Sequence, residues 1–213
     1  MIGTGLFFLV IAVASLPLVP AWLWMRARGL NFLYFLVCLG TGFISVIIAL
    51  AIQAVFPVSK GSFRDDIVYI FVRIALTEEF SRLVILFPVL SFINRRKSTG
   101  NSAPRGGEAG LIAGLGFAAA ESVFYAAADP RIALFRAFTA APLHGACGER
   151  IGSSLSVIRR QPPRAAFLFL SAVLIHGMYD FFILNPAFPS FLSLLIALVG
   201  LGASLISINH EDS

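Results

Sequence analysis

The sequence predicts an all-α protein, a polytopic bundle of helices that crosses a membrane about seven times. Of its 213 residues, 58% are hydrophobic and only 13% are charged, and the mean hydropathy is +0.89. A water-soluble domain could not bury so much apolar surface. Apolar stretches also recur at the length of about 20 residues that a span requires. The linkers between them are short and rich in Pro and Gly, as helix ends require.

Seven apolar stretches give the predicted spans in chain order. Residues 2–25 have no basic residue before their apolar run, and the run is too long for the centre of a signal peptide, so we interpret it as the first span. No later linker is long enough to fold separately, so residues 1–213 are predicted to form one integral membrane domain. The predicted spans, each with the linker that follows it, are 2–25 (RARG), 30–56 (PVSKGSFRDD), 67–93 (NRRKSTGNSAPRGGE), 109–128 (DPR), 131–158 (RRQPPR), 165–184 (NPAFP) and 188–208 (the NHEDS tail).

The basic residues predict the orientation of the bundle. Nine Lys and Arg residues follow the first, third and fifth spans, whereas three follow the second, fourth and sixth. Because basic linkers remain in the cytoplasm, the N-terminus is predicted outside and the C-terminus inside. The net charge of +5 comes from these clusters, which face the headgroups of the lipid bilayer, so no nucleic acid partner is expected. The nine are Arg26, Arg28, Arg95, Arg96, Lys97, Arg105, Arg159, Arg160 and Arg164; the three are Lys60, Arg64 and Arg131.

Small residues predict close contact between two spans. Gly110 and Gly114 in the fourth span, and Gly148 and Gly152 in the fifth, both form the GxxxG pattern. Such spacing lets helix backbones approach closely in a membrane.

Polar side chains inside four of the spans are the main functional signal. Each charged group costs about 3 kcal/mol in lipid on insertion scales, so these groups should face the bundle interior or a wet cavity. At 1.5 Å per residue, four of them lie roughly 10 to 20 Å from the outer ends of their helices, which predicts one common layer. The four are Glu78, Glu121, His144 and His176; Arg73, Glu79, Arg82, Arg136 and Asp180 are also polar, and Glu149 and Arg150 lie deeper.

Helical spacing suggests what these residues can do. His176 and Asp180 are four apart and share a face, so they could bind one ion, or Asp180 could orient the imidazole. Glu78 and Arg82 are also four apart, while Glu79 lies about 100 degrees round the helix, so the two carboxylates need not have the same role. Two adjacent carboxylates in a low dielectric medium are costly to ionise together, which suits one of them to acid–base chemistry. Opposite a metal on histidines, or protonated histidines, they would activate water for hydrolysis of a peptide bond.

Four motifs over roughly 77–181 resemble those of the PrsW family of intramembrane proteases, which are related to the CAAX-protease and bacteriocin-processing group. TEEFSR at 77–82 is similar to the family's EEExxK, and GFAAAESVFY at 116–125 to its FAxxEN region. PLHG at 142–145 resembles the third motif with its central His, and HGMYD at 176–180 the closing HxxxN/D. All four lie in order inside predicted spans.

The resemblance implies an endopeptidase in a bacterial or archaeal cell membrane that cuts membrane-anchored proteins, in some members an anti-sigma factor, near the outer side. Its catalytic core would be about 67–184. It implies that Glu78, Glu79, Glu121, His144 and His176 are catalytic, with His144, His176 and Asp180 as metal ligands. The cofactor would be Zn²⁺, or the mechanism would use glutamate and histidine without metal. Two histidines with Glu or Asp can form a zinc site, but the chain has no HExxH motif, so the sequence leaves both mechanisms open.

Alternatives remain at this stage. The same cluster could serve as the ion or proton site of a small transporter or channel. The departures from the family pattern, Thr77, Arg82 and Ser122, fit an inactive scaffold of the same fold, since an arginine cannot easily act as a proton carrier. The polar groups could also be structural. In that reading Glu78 and Glu79 form a structural ion pair with Arg82, and Glu121 pairs with an arginine such as Arg73 or Arg82. His176 and Asp180 would then be an interhelical hydrogen-bonded pair, and His144 a satisfied core imidazole.

Overall fold

The computed structural model describes residues 4–56, 62–96, 105–126, 129 and 131–210, and all regular structure in these residues is helical. This confirms the predicted all-α class. The helices are α1 Thr4–Ala14, α2 Leu18–Ala27, α3 Phe32–Val55, α4 Phe63–Ile67, a π-helical segment Val68–Leu76, α5 Thr77–Arg96, α6 Gly106–Ala126, α7 Arg131–Phe138, α8 Ala140–Val157, α9 Pro162–Leu184 and α10 Phe191–His210.

Within the described residues, four helices are long and apolar enough to cross a membrane, namely α3, α6, α9 and α10. The number is five if α1 and α2, which meet at 40°, are counted as one bent span. The count of seven spans and the orientation of the termini stay predictions. Lys60 and Lys97, which enter the charge count, lie outside the described residues.

Two predicted spans are not single helices. The stretch 2–25 is broken between α1 and α2 at Pro17, which has no N–H to continue the helical hydrogen bonds. The stretch 131–158 is broken between α7 and α8 at Thr139, whose hydroxyl donates to the carbonyl of Phe135 at 3.0 Å. A hydroxyl bond to the preceding turn often bends a helix.

The third predicted span contains the π-helical segment, which runs without interruption into α5. A π-turn places more residues in each turn than an α-helix does. Side chains after the segment therefore point in directions that an ideal helix starting at Val68 would not give. Glu78 and Glu79 stand in the first turn of α5, directly after this change.

Helices α6 and α8 form the most extensive packed pair, and glycine makes their contact possible. A Cβ on Gly110 would overlap the carbonyl oxygen of Gly148, and one on Gly152 would overlap that of Gly106. A Cβ on Gly114 would overlap the backbone carbonyl of His144. The close approach expected from the two GxxxG patterns is present, and it fixes the position of His144 against α6.

A second buried polar group lies where α8 meets α10. Glu149 is 2% exposed and accepts hydrogen bonds from Ser153 Oγ at 2.7 Å and from Ser207 Oγ at 3.2 Å. Arg150 Nη1 lies 3.8 Å from the Glu149 carboxylate and donates to Ser204 Oγ at 3.1 Å. We call these residues, Glu149, Arg150, Ser153, Ser204 and Ser207, the inner cluster.

Candidate active site

Polar side chains from α5, α6, α8 and α9 meet in one place. We call the set the site cluster: Glu78, Glu79, Arg82, Glu121, His144, His176 and Asp180. The imidazole rings of His144 and His176 lie 4.9 Å apart between centroids and nearly perpendicular, at 88°. Both histidines are 2% exposed. The common layer predicted from depth therefore brings these side chains within contact distance.

Glu79 has both carboxylate oxygens occupied in a fully buried position. One oxygen forms an ion pair with Arg82 Nη1, and the other accepts a hydrogen bond from His176 Nδ1 at 2.8 Å. The side chains of Glu79 and Arg82 are both 0% exposed. The arginine thus pairs with the carboxylate three positions before it, rather than with Glu78 four positions before it. Glu79 holds the His176 ring in orientation.

Glu78 has a different environment. Its Oε1 accepts from Gln53 Nε2 at 3.3 Å, whereas its Oε2 is buried and, among the described residues, has no hydrogen-bond partner. That oxygen lies 3.6 Å from His176 Nε2, and Asp180 Oδ2 lies 3.5 Å from the same nitrogen. Because His176 donates from Nδ1 to Glu79, the neutral ring carries a lone pair at Nε2. Three lone-pair atoms therefore converge where a cation or an added proton would satisfy them.

His144 is held in the opposite tautomer. Arg82 Nη2 lies 3.3 Å from His144 Nδ1, and Glu121 Oε2 lies 3.0 Å from His144 Nε2. An arginine can only donate, so Nδ1 accepts and the neutral ring carries its proton at Nε2, directed at Glu121. The Arg82 guanidinium also stacks on the Phe117 ring, 4.5 Å from its centroid. His144 is therefore positioned to donate a hydrogen bond.

Glu121 pairs with an arginine, but not with either of the two named as examples from the sequence. Neither Arg73 nor Arg82 pairs with it; instead Arg136 Nη2 forms the ion pair. Arg136 also donates from Nε to Ser122 Oγ at 3.2 Å, so its guanidinium is held against α6. The break at Thr139 makes α7 a separate helix, and α7 packs against α6.

Arg73 has a structural contact of its own. It donates to the backbone carbonyls of Gln53 at 2.9 Å and Phe56 at 3.1 Å, at the end of α3. Helix ends leave carbonyl groups without partners inside the helix, and a cation satisfies them well. Arg73 thus ties the π-helical segment to α3.

Sequence reasoning did not single out Gln53, although a detectable signal existed. Its amide donates to Glu78 Oε1 and, at 3.2 Å, to Thr77 Oγ1. An amide within the apolar run of α3 is itself an intramembrane polar group. It escaped notice because only charged residues and histidines were considered.

The donor set can be tested against a metal ion. Glu78, His144 and His176 each offer a ligand atom, and these atoms lie within 4.8 Å of one another. The family resemblance implied Asp180 as the third metal ligand, whereas the group whose ligand atoms lie closest together contains Glu78 in that place. One carboxylate with two imidazoles is a donor set typical of zinc, and Glu79 behind His176 is the usual supporting carboxylate. His144 would offer Nε2 only after Arg82 leaves Nδ1, because Nδ1 would then carry the proton.

A cavity of about 230 Å³ opens beside the cluster, between α3 and α6. Glu78 and Glu121 lie in its wall, together with Gln53. The cavity therefore offers space beside Glu78 for a water molecule and part of a substrate.

Comparison with known proteins gives one match. A model of the family described as PrsW family intramembrane metalloprotease matches residues 28–204. No curated protein and no solved structure gives a significant match to the chain.

Proposed function

The chain belongs to the PrsW family of intramembrane metalloproteases, and from this premise we propose that it hydrolyses a peptide bond in a single-span membrane protein. Substrates of the anti-sigma factor kind fit the family resemblance. The substrate segment would enter from the lipid and place its scissile carbonyl beside Glu78. The reaction would take place in the buried site cluster, sheltered from bulk water.

One observation carries the proposal: the buried Glu78 Oε2 without a partner, facing His176 Nε2 at 3.6 Å. A structural carboxylate in a membrane would have its oxygens satisfied, because an unsatisfied buried acceptor costs about 1–3 kcal/mol. A buried acceptor left without a hydrogen bond suits a group that receives a proton during a reaction.

In the mechanism, Glu78 acts as general base and then as general acid. The water oxygen bonds to the carbonyl carbon while one water proton moves to Glu78 Oε2. The tetrahedral intermediate then expels the amine, and Glu78 returns that proton to the leaving nitrogen as the C–N bond breaks. Gln53, bound to the other oxygen at 3.3 Å, keeps Oε2 directed at the site.

The histidines have complementary tasks. His144 carries its proton at Nε2 because Arg82 donates to Nδ1, so once it turns from Glu121 it can donate to the developing oxyanion. His176, oriented by Glu79, presents Nε2 towards Glu78 and Asp180. Glu121 is held by Arg136 and keeps His144 in place until substrate arrives.

A zinc ion would be held by Glu78, His176 and His144, with Asp180 beside them. It would supply a Lewis acid and a water of lowered pKa. The proton path through Glu78 described above belongs to the metal-free glutamate mechanism, because a carboxylate that holds zinc could not also serve as a free base.

The decisive experiment replaces Glu78 with Gln in the full-length protein. In proteoliposomes containing a single-span reporter, Glu78→Gln should lower the cleavage rate at least about 100-fold, the typical contribution of a general base. Glu149→Gln, in the inner cluster, should leave the rate within a few-fold of the parent. Full activity of Glu78→Gln would refute the role of Glu78. Ion flux without any cleavage would instead favour the transporter alternative.

Elemental analysis of the purified protein separates the two chemistries. Stoichiometric zinc that is lost in His176→Ala, but retained in Glu149→Gln, would support the metal set. Equal zinc content in all three proteins would show that any bound zinc lies elsewhere.

A further inference from the structure

The cavity between α3 and α6 has apolar walls and an acidic end. Its apolar lining comes from both helices, and its polar end joins the site cluster. The lining residues are Val46, Ala49, Leu50, Gln53, Glu78, Phe117, Glu121, Phe124 and Tyr125. Five of the nine lining residues are apolar. The other four are the two glutamates, Gln53 and Tyr125, which carries a single hydroxyl.

The cavity has an enclosed apolar part and a more exposed rim. Val46 and Ala49 are each 2% exposed, and Phe117 is 1% exposed, so they form the enclosed part. Leu50, Phe124 and Tyr125 are 48%, 59% and 50% exposed, so they form an outer rim. The opening lies between α3 and α6, two helices that are both long and apolar enough to span a membrane.

The size of the cavity limits its occupant. A volume of about 230 Å³ equals the liquid share of roughly eight water molecules at about 30 Å³ each. Sites for whole small molecules are larger, at about 300–1,000 Å³. The space suits one bulky apolar side chain of a longer segment that lies mostly outside it.

We propose that this cavity is a specificity subsite, which binds a large apolar side chain of the substrate next to the scissile bond. The proposal rests on the proposed function and names the substrate class of the same site. An apolar side chain here would contact Ala49 and Phe117 and bring its own backbone to Glu78. A charged side chain would lose its hydration against apolar walls, so such substrates would be excluded.

The test narrows the cavity and measures selectivity rather than rate alone. In a reporter whose cleaved bond has been mapped by mass spectrometry, each residue flanking the bond is changed in turn to Leu, Ala or Asp. The parent should prefer Leu over Ala at one flanking position and should cleave the Asp version least. Ala49→Phe fills the enclosed part, so the Leu to Ala preference should fall at least about 10-fold, the scale for a misfit in an apolar pocket.

Ile47→Phe is the matched control, because Ile47 is on the same helix, 63% exposed, and outside the lining. It should leave the preference unchanged. If Ala49→Phe leaves the preference unchanged, Val46→Phe repeats the test, because Val46 lies one turn away on α3 and lines the same cavity. If both variants cleave with the parent's preference, the subsite is refuted.

A cross-linking measurement separates failure of the subsite from failure of the proposed function. A benzophenone amino acid at position 50 of Glu78→Gln protein should capture the Leu reporter, whereas the same group at position 47 should not. Capture at position 50 with no cleavage by the parent would retain the binding site and refute hydrolysis. Equal capture at the two positions would refute the subsite, whatever the activity.

Discussion

The site cluster and the inner cluster are both buried polar groups in the same helical bundle, but their atoms are paired differently. In the inner cluster, Glu149 is matched by two serine hydroxyls and by Arg150. The site cluster has four carboxylates, and within the part of the chain that the structure describes two arginines, Arg82 and Arg136, form ion pairs with them. Among the described residues, no buried side-chain atom of the inner cluster lacks a partner, whereas Glu78 Oε2 does.

The comparison teaches that burial of charge in a membrane does not by itself mark a functional site. A matched group stabilises helix packing, as the inner cluster does between α8 and α10. A group with surplus acceptors is held for something that arrives later, such as a proton, a cation or a substrate. Three measurements test this difference between the two clusters.

The largest effect on stability is expected from Glu79. Glu79→Gln removes the charge that neutralises Arg82 at a site where both side chains are fully buried. Leaving one charge of a buried pair without its partner lowers the free energy of unfolding by about 3–5 kcal/mol. Chemical denaturation in mixed micelles would measure the loss.

Glu78→Gln is the matched control, since it is the same substitution at the neighbouring position. It removes a carboxylate whose Oε2 has no partner, so the free energy of unfolding should stay constant or rise. Equal losses in the two variants would mean that both carboxylates are structural, and the contrast between the clusters would disappear.

An intermediate loss of stability is expected at the glycine contact between α6 and α8. This contact runs along helices that carry residues of both clusters. Gly110→Ala places a Cβ against the Gly148 carbonyl, where backbone rather than a flexible side chain must move. Overpacking of this kind lowers the free energy of unfolding by about 1–3 kcal/mol. The same denaturation assay, with cleavage measured in parallel, should show stability and activity falling together, because His144 is on α8.

Gly40→Ala provides the comparison for that variant. Nothing lies within 4 Å of a Cβ at Gly40, which is also in the middle of a helix. It should cause no loss of stability. A loss as large as that of Gly110→Ala would indicate that any glycine replacement is harmful, independent of the helix contact.

The smallest effect is expected at Ser153 in the inner cluster. Ser153→Ala removes one hydrogen bond to Glu149, which keeps its bond from Ser207. The free energy of unfolding should fall by about 0.5–1.5 kcal/mol, with cleavage unchanged. A loss of cleavage without a comparable loss of stability would show that the inner cluster takes part in the reaction.

The meeting of the charged and imidazole groups was predictable because it depends on depth, which the sequence encodes at 1.5 Å per residue. Glu78, Glu121, His144 and His176 could be assigned to one layer without knowing how any helix is rotated. The glycine contact of α6 and α8 was predictable for a similar reason, since GxxxG acts over a single turn.

The choice of partners was not predictable. Arg82 is within reach of both Glu78 and Glu79 along its helix, and His176 and His144 on other helices decide between them. The π-helical segment before α5 changes the direction of every later side chain relative to a continuous α-helix. The regular spacing of about 3.6 residues per turn that was assumed from the sequence does not include this change. Arg136 contacts Glu121 from α7, which is separated from α8 by the break at Thr139. The hydrophobic pattern of the sequence continues through Thr139 and does not indicate this break.

Gln53 joins the wall of the cavity to the carboxylate at its end. Since the amide is on α3 and Glu78 is on α5, any outward swing of α3 that widens the lateral opening must stretch the 3.3 Å bond between them. Admission of a substrate and release of the base would then be one mechanical event. The width of the opening between α3 and α6 and the position of the Glu78 carboxylate are therefore coupled through this one hydrogen bond.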